Sequence, residues 1–171
     1  QIINWGGRCQ IVQMDVEHPD AAIDALLSMP ISFSHLYYFA SPRISQQKSG
    51  QFDLSLYEKF NQIYVMAFGK IMKSLSMRLD RGCCVFYPST VFLDERPKGF
   101  GEYITAKAAG EELCKYLSQH IKDTSIIVRR LPMLPTDQTQ SLIRKEKSDP
   151  LSELLSVVSE LHHSFRDKKI S

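Results

Sequence analysis

The feature that most constrains this chain is a repeated switch between two periods of apolar residues. Segment 9–16, Cys-Gln-Ile-Val-Gln-Met-Asp-Val, alternates as a strand would. After His18-Pro19-Asp20, the residues Ala21, Ala22, Ala25 and Leu26 fall at helical spacing, and Pro30 ends that helix. Segment 35–40, His-Leu-Tyr-Tyr-Phe-Ala, is short, aromatic and bounded by Ser41-Pro42, which predicts a buried strand. Asp53 is placed to cap a long helix whose apolar stripe runs through Tyr57, Phe60, Tyr64, Ala67, Phe68, Ile71, Leu75 and Leu79, with Gly82 closing it. Segment 83–88 reads as a strand, 102–120 as a helix and 124–131 as a β-branched strand. Asp149-Pro150 is a good start for a last helix, 151–165. Strands alternating with helices predict an α/β fold: a parallel sheet flanked by helices on both faces.

At 171 residues the chain suits one domain with its own core. A formal net charge of +2 is too small to argue for nucleic acid or an anionic membrane as a partner. No apolar run reaches the length of a bilayer span. The four cysteines, Cys9, Cys83, Cys84 and Cys114, lack metal-type spacing and read as small hydrophobes in a reducing compartment. A cytoplasmic location and no metal are therefore expected.

The residues that suggest chemistry are Tyr103-Ile-Thr-Ala-Lys107. Residues four apart share a helix face, and an ammonium beside a phenol favours the phenolate, which would lower the tyrosine pKa toward neutrality. Such a phenol can exchange a proton with a carbonyl or alcohol oxygen. Ser89 stands at the end of the predicted strand before this helix, where ligands bind in parallel sheets. Alone, the Tyr-Lys pair could equally be an exposed helix pair, and Ser89-Thr90 an ordinary turn. Arg129-Arg130 ends a strand near the same edge and reads either as salt-bridged or as a contact to an acidic substrate. No Gly-x-Ser-x-Gly elbow surrounds Ser89, which argues against a hydrolase.

Residues 85–139 resemble the short-chain dehydrogenase/reductase family, through Val-Phe-Tyr-Pro-Ser89, Tyr103-Ile-Thr-Ala-Lys107, the strand Thr-Ser-Ile-Ile-Val-Arg-Arg and the loop Leu-Pro132-Met-Leu-Pro-Thr136. Upstream, Asn61, Asp15-Val16 and Phe39-Ala40-Ser41-Pro42 resemble further family positions, so the likeness covers most of 9–139. It implies a Rossmann-like oxidoreductase that moves a hydride between NAD or NADP and a carbonyl or alcohol substrate. By the same resemblance Tyr103 would be the general acid or base, and Lys107 would tune it and bind the nicotinamide ribose. Ser89 would position the carbonyl, and Asn61 would hold a helix kink and a proton-relay water. Asp15, Val16, Ala40 and Ser41 would touch the adenosine half or the turn beside it, and Pro132 and Thr136 would sit by the nicotinamide. The family's long helices, here 53–80 and 102–120, imply a homo-oligomer.

The family's Gly-x-x-x-Gly-x-Gly phosphate turn has no counterpart here. Gly6-Gly7 precedes a strand rather than a helix, and Gly99 and Gly101 lie in the loop before Tyr103. The resemblance thus implies a single partial domain, 1–171, that corresponds to the family's C-terminal two-thirds without its first two strands. Such a chain would by itself bind the cofactor weakly or not at all and be inactive. Those two strands separate the family's third and fourth strands, so segment 9–16 is expected to move beside 35–40 or chains to associate across the exposed edge. The alternative reading is a non-catalytic Rossmann-like binding or structural module.

Overall fold

The computed structural model describes residues 6–44, 46, 50–132 and 150–170. Among these, three strands form one parallel sheet: β1 (Phe33–Tyr37), β2 (Leu79–Thr90) and β3 (Thr124–Leu131), with β2 in the centre. Helix α1 (Asp20–Ser28) precedes β1. Between β1 and β2 the chain forms α2 (Leu54–Asn61), a π turn (Gln62–Ala67) and α3 (Phe68–Leu75). A short α4 (Phe92–Glu95) and the long α5 (Gly101–His120) connect β2 to β3, and α6 (Pro150–Ile170) follows. The α/β reading, a Rossmann-like parallel sheet flanked by helices, is the fold observed.

Alternation along β2 explains why both faces are covered. Cys83, Val85 and Tyr87 enter a core with α1, α3 and α5, through Ile23, Phe68, Ile71, Met72, Leu75 and Cys114. Cys84 and Phe86 point the other way, onto Val157 and Leu161 of α6. Every residue of β2 from Cys83 to Tyr87 is fully buried, as expected for a strand central to a parallel sheet. Burial pushes the Cys83 and Cys114 thiols up to about 12, so both serve as inert core atoms.

Asp53 does cap its helix: its carboxylate accepts from the Leu56 N–H at 3.1 Å. The long helix it opens is not continuous. The π turn interrupts it, and two Tyr hydroxyls, one from β2 and one from the residue just after β1, hold two of the turn's carbonyls. Tyr38 donates to the Ile63 carbonyl at 2.7 Å, and Tyr87 donates to the Tyr64 carbonyl at 2.9 Å. Gly82 does not close the helix. The helix ends at Leu75, a tight turn (Ser76–Arg78) follows, and Gly82 lies inside β2 at φ 81°. Pairing there slips from Phe33↔Leu79 to His35↔Cys84, and Gly82 supplies the left-handed conformation this irregularity needs.

Segment 9–16 forms no strand, which corrects the sequence reading. It does not move beside β1. It runs irregularly, with Met14 and Val16 packed against the main core and Ile11 exposed. The alternation was real, since Val12, Met14 and Val16 are half-buried and their neighbours exposed. It reports an extended chain resting one face on the core, not a hydrogen-bonded ladder. The expected cap Asp149 lies outside the described residues. None of the helices among the described residues is long and apolar enough to cross a membrane.

One close approach sets the distance between β2 and α5. A Cβ added at Gly110 would lie 2.0 Å from the Tyr87 hydroxyl and 3.3 Å from the Tyr64 carbonyl. Gly110→Ala gains about 1 kcal/mol of helix propensity, but the overlap should cost about 1–3 kcal/mol more than that gain. Urea unfolding should therefore show Gly110→Ala less stable than wild type, with a smaller loss in a Tyr87→Phe background. A Gly110→Ala protein as stable as wild type would show that Tyr87 has room to move.

Candidate active site

Because the three strands are parallel, their carboxyl ends lie along one edge of the sheet. That edge brings together the turn after β1, with Ala40 and Ser41, the Ser89-Thr90 end of β2, and Pro132 after β3. Helix α5 starts beside it. Tyr103, Ala106, Lys107, Gly110 and Cys114 form its buried face, so Tyr103 and Lys107 lie one turn apart and both point inward.

Tyr103 is 8% exposed and sits among aromatic rings. Ring centroids of Phe60, Tyr64 and Phe92 lie 5.6, 5.8 and 6.3 Å away. Burial raises its pKa above the ordinary tyrosine value, and the Thr90 side chain, its hydrogen-bonding neighbour, pulls the other way. The pKa reduction expected from the lysine is therefore not what the structure has. Lys107 Nζ is engaged elsewhere: it donates to the Pro88 carbonyl at 2.7 Å and lies 3.8 Å above the Tyr64 ring and 5.1 Å from the Tyr87 ring. At 5% exposure, desolvation brings its own pKa down to about 7, with Cys114 and Glu111 opposing the shift.

Ser89 turns away from Tyr103. Its hydroxyl donates to Glu111 Oε1 at 2.6 Å. Arg130, paired with Ser89 in the β2–β3 register, grips both oxygens of Glu111 at 2.9 and 2.7 Å and reaches Asp94 at 2.5 Å. The Arg130 guanidinium is the main cause that holds the Glu111 carboxyl below its usual range. Arg129 pairs with Glu160 of α6. Both arginines are thus salt-bridged. Thr90, Tyr64 and Glu111 were missed from sequence. Glu111 stands one helical turn beyond Lys107 on the same stripe, a signal that was available.

The remaining residues are scattered around this centre. Asn61 is the last residue of α2 and directly precedes the π turn. Val16 and Ala40 pack against the small core that contains Phe60, Tyr64 and Tyr103 as well as against the main one. Ser41 meets the Tyr64 hydroxyl at 2.6 Å. Asp15 is exposed and accepts from the Glu17 N–H at 3.0 Å, a local turn. Pro132 is half-buried. Thr136 lies outside the described residues. Two open pockets lie elsewhere, neither lined by Tyr103, Lys107, Ser89 or Thr90. One, about 310 Å³, is lined by Phe52, Arg96, Lys98 and Ile104, and the other, about 470 Å³, by Val65, Met66, Lys70 and Leu113.

No protein-family model matches the sequence, and no curated protein matches it in sequence either. Solved structures do match in fold. A short-chain oxidoreductase from Thermus thermophilus superposes with a TM-score of 0.75 at 17% identity, over 94% of this chain and 77% of that one. An alcohol dehydrogenase from the archaeon Thermococcus sibiricus, complexed with 5-hydroxy-NADP, gives 0.75 at 14% identity, over 93% and 72%. A short-chain dehydrogenase from Salmonella enterica gives 0.72 at 12% identity, over 85% of this chain; the chain spans 64% of the length of that protein. With its central β2, its Tyr-Lys helix and these structural relatives, the chain has the short-chain dehydrogenase/reductase fold.

Proposed function

We propose that this chain carries the proton-transfer half of a short-chain oxidoreductase that works with NAD or NADP on a carbonyl or alcohol substrate. The observation that carries this reading is the placement of Tyr103 and Lys107 one turn apart on the buried face of α5, next to the buried Ser89-Thr90 end of the central strand. Thr90 neighbours the phenol while its Oγ1 accepts from the Phe92 N–H at 3.2 Å, whereas the Ser89 hydroxyl donates to Glu111. In this reading Tyr103 gives a proton to the substrate oxygen in reduction and takes it in oxidation, while Thr90 orients that oxygen. Burial that holds the phenol protonated suits the acid role.

The donor set fits a nicotinamide nucleotide: an ammonium, two hydroxyls and a phenol gathered along the carboxyl edge of a parallel sheet, where such ligands bind. Lys107 and Ser41 would hold its ribose, and Ala40 and Pro132 would border it. When bound, the nicotinamide would give or accept the hydride. Asn61 would act through the backbone of the π turn it precedes. The outer faces of α2, α3 and α5, with Met66 exposed beside the larger pocket, are where a second copy would associate. A structural or binding role without catalysis draws support from the tight enclosure of Lys107.

Assays of NADH- and NADPH-dependent reduction over a panel of small aldehydes and ketones, run on the full chain, test the proposal. Tyr103→Phe should lower kcat by at least about 100-fold, the usual scale for losing a general acid. Thr90→Val should cost less, and Ser89→Ala less again. Unchanged turnover in Tyr103→Phe would remove Tyr103 from this role, and no turnover by the wild-type protein would leave the non-catalytic reading.

The buried ammonium also makes a prediction about stability. Below pH 7 Lys107 is protonated both folded and unfolded, and its burial penalty is fully present. Above pH 7 the folded state loses the proton while the unfolded lysine keeps it up to its ordinary value of 10.5. Stability should therefore rise with pH from 7 to 9, by up to about 1.4 kcal/mol per unit. Lys107→Met should lack this rise. Equal slopes for the two proteins in urea melts would show that the ammonium is not buried.

A further inference from the structure

We propose that the stacked imidazoles of His35 and His162 form an acid-sensitive latch, which releases α6 from the sheet when they take up protons. His35 stands on β1 and His162 on α6. Their ring centroids lie 4.2 Å apart, with the planes 25° from parallel. Phe165, almost one turn further along α6, brings its ring centroid to 4.9 Å from that of His35. The rest of this contact is a short apolar stripe. Val157 and Leu161 pack with Cys84 and Phe86, and Tyr37 and Phe165 border them. Helix α6 therefore holds this face of the sheet through few side chains, and two of the rings among them can titrate.

The stack suits neutral rings and not charged ones. His35 Nε2 is enclosed and makes no hydrogen bond among the described residues, while Nδ1 shares one with the Ser34 hydroxyl at 3.0 Å. A proton on Nε2 would be an enclosed charge without an acceptor, and a second on His162 would set two like charges face to face. The neighbouring groups offer no counter-charge. On β1, Tyr37 stacks beside His35 at 6.2 Å, and burial raises its phenol above the ordinary value. On β2, Cys84 is the register partner of His35, and Asp80 bonds to Ser32. On α6, Glu160 is held by Arg129 of β3, and the exposed His163 and Arg166 bring no negative charge. Burial lowers the His35 pKa below its ordinary 6.5, His162 lowers it further, and the Leu161 backbone opposes both. With the docked value depressed, the released state takes up the proton first. Docking is then at full strength above pH 6.5 and weakens as the pH falls below it.

Adjacent cysteines on opposite faces of β2 report the release in the full chain. Cys84 lies under α6, Cys83 lies in the other core, and exposed Cys9 is the internal reference. Alkylation by N-ethylmaleimide between pH 7.5 and 5.5, above the ordinary carboxylate range, is assigned to each cysteine by tandem mass spectrometry. In wild type the Cys84 rate relative to Cys9 should rise about tenfold, the factor for one proton taken up over one pH unit below 6.5. Cys83 should stay protected. His162→Gln, a change at an exposed position, should cut the rise to about threefold or less. No rise in wild type, or an equal rise in His162→Gln, overturns the latch. A parallel rise at Cys83 also overturns it, because the whole sheet would then be opening rather than α6 leaving it.

Discussion

The structure turns on the reach of Tyr87 across helix α5. Its ring lies in the main core between Tyr38 and Phe68, and its hydroxyl passes a helix position that only glycine can occupy to reach the Tyr64 carbonyl. This contact ties together the central strand, the π turn and α5. If α5 stood further from the sheet, Lys107 could not reach the Pro88 carbonyl. If the π turn relaxed to an ordinary helix, Tyr64 would not lie over the ammonium. The candidate site is thus a consequence of how closely two elements approach, and Gly110 is the residue that permits it.

The sheet was legible because central parallel strands are buried on both faces and read as unbroken apolar or β-branched runs. Segment 83–88 shows this; 124–131, at the edge of the described sheet and only half-buried, was legible from its β-branched run, and the observed β3 has the bounds read for it. Segment 9–16 misled for a definable reason. Period-two burial requires only an extended chain lying on a surface; a strand also requires a neighbour whose N–H and C=O groups are free to pair. Sequence reports the first condition and not the second. The apolar pattern did not show the π turn for a similar reason, although the family resemblance implied a kink at Asn61, the residue that precedes it. The apolar stripe from Tyr57 to Leu75 continues through it, and what fixes the turn is a pair of tyrosine hydroxyls from residues 38 and 87, far away in the chain.

The choice between Ser89 and Thr90 shows the limit more sharply. Neighbouring strand residues face opposite ways, so at the end of β2 only one of these hydroxyls can meet the phenol. Which one does depends on where the strand twists out of the sheet, and no local pattern encodes that. The partner chemistry did lie in the sequence. Arg130 stands opposite Ser89 across the sheet, and Glu111 follows Lys107 by one turn. Glu111 accepts from the Ser89 hydroxyl and Arg130 holds Glu111, so the three form one polar cluster at the end of the strand.

The two titration shifts in the pocket have one cause and opposite signs. Enclosure raises the Tyr103 phenol and lowers the Lys107 ammonium, because low dielectric surroundings favour whichever form is neutral. With the Tyr64 ring in place, the pair is a protonated phenol beside an amine that loses its proton near neutrality. A phenol in that state donates a proton readily and accepts one poorly. A polar partner that reached Lys107 would restore its charge and so favour the phenolate. On this argument the acidity of Tyr103 is set less by its distance from the lysine than by what covers the lysine. The sequence spacing Tyr-x-x-x-Lys identifies the two groups but leaves their charge to the burial that encloses them.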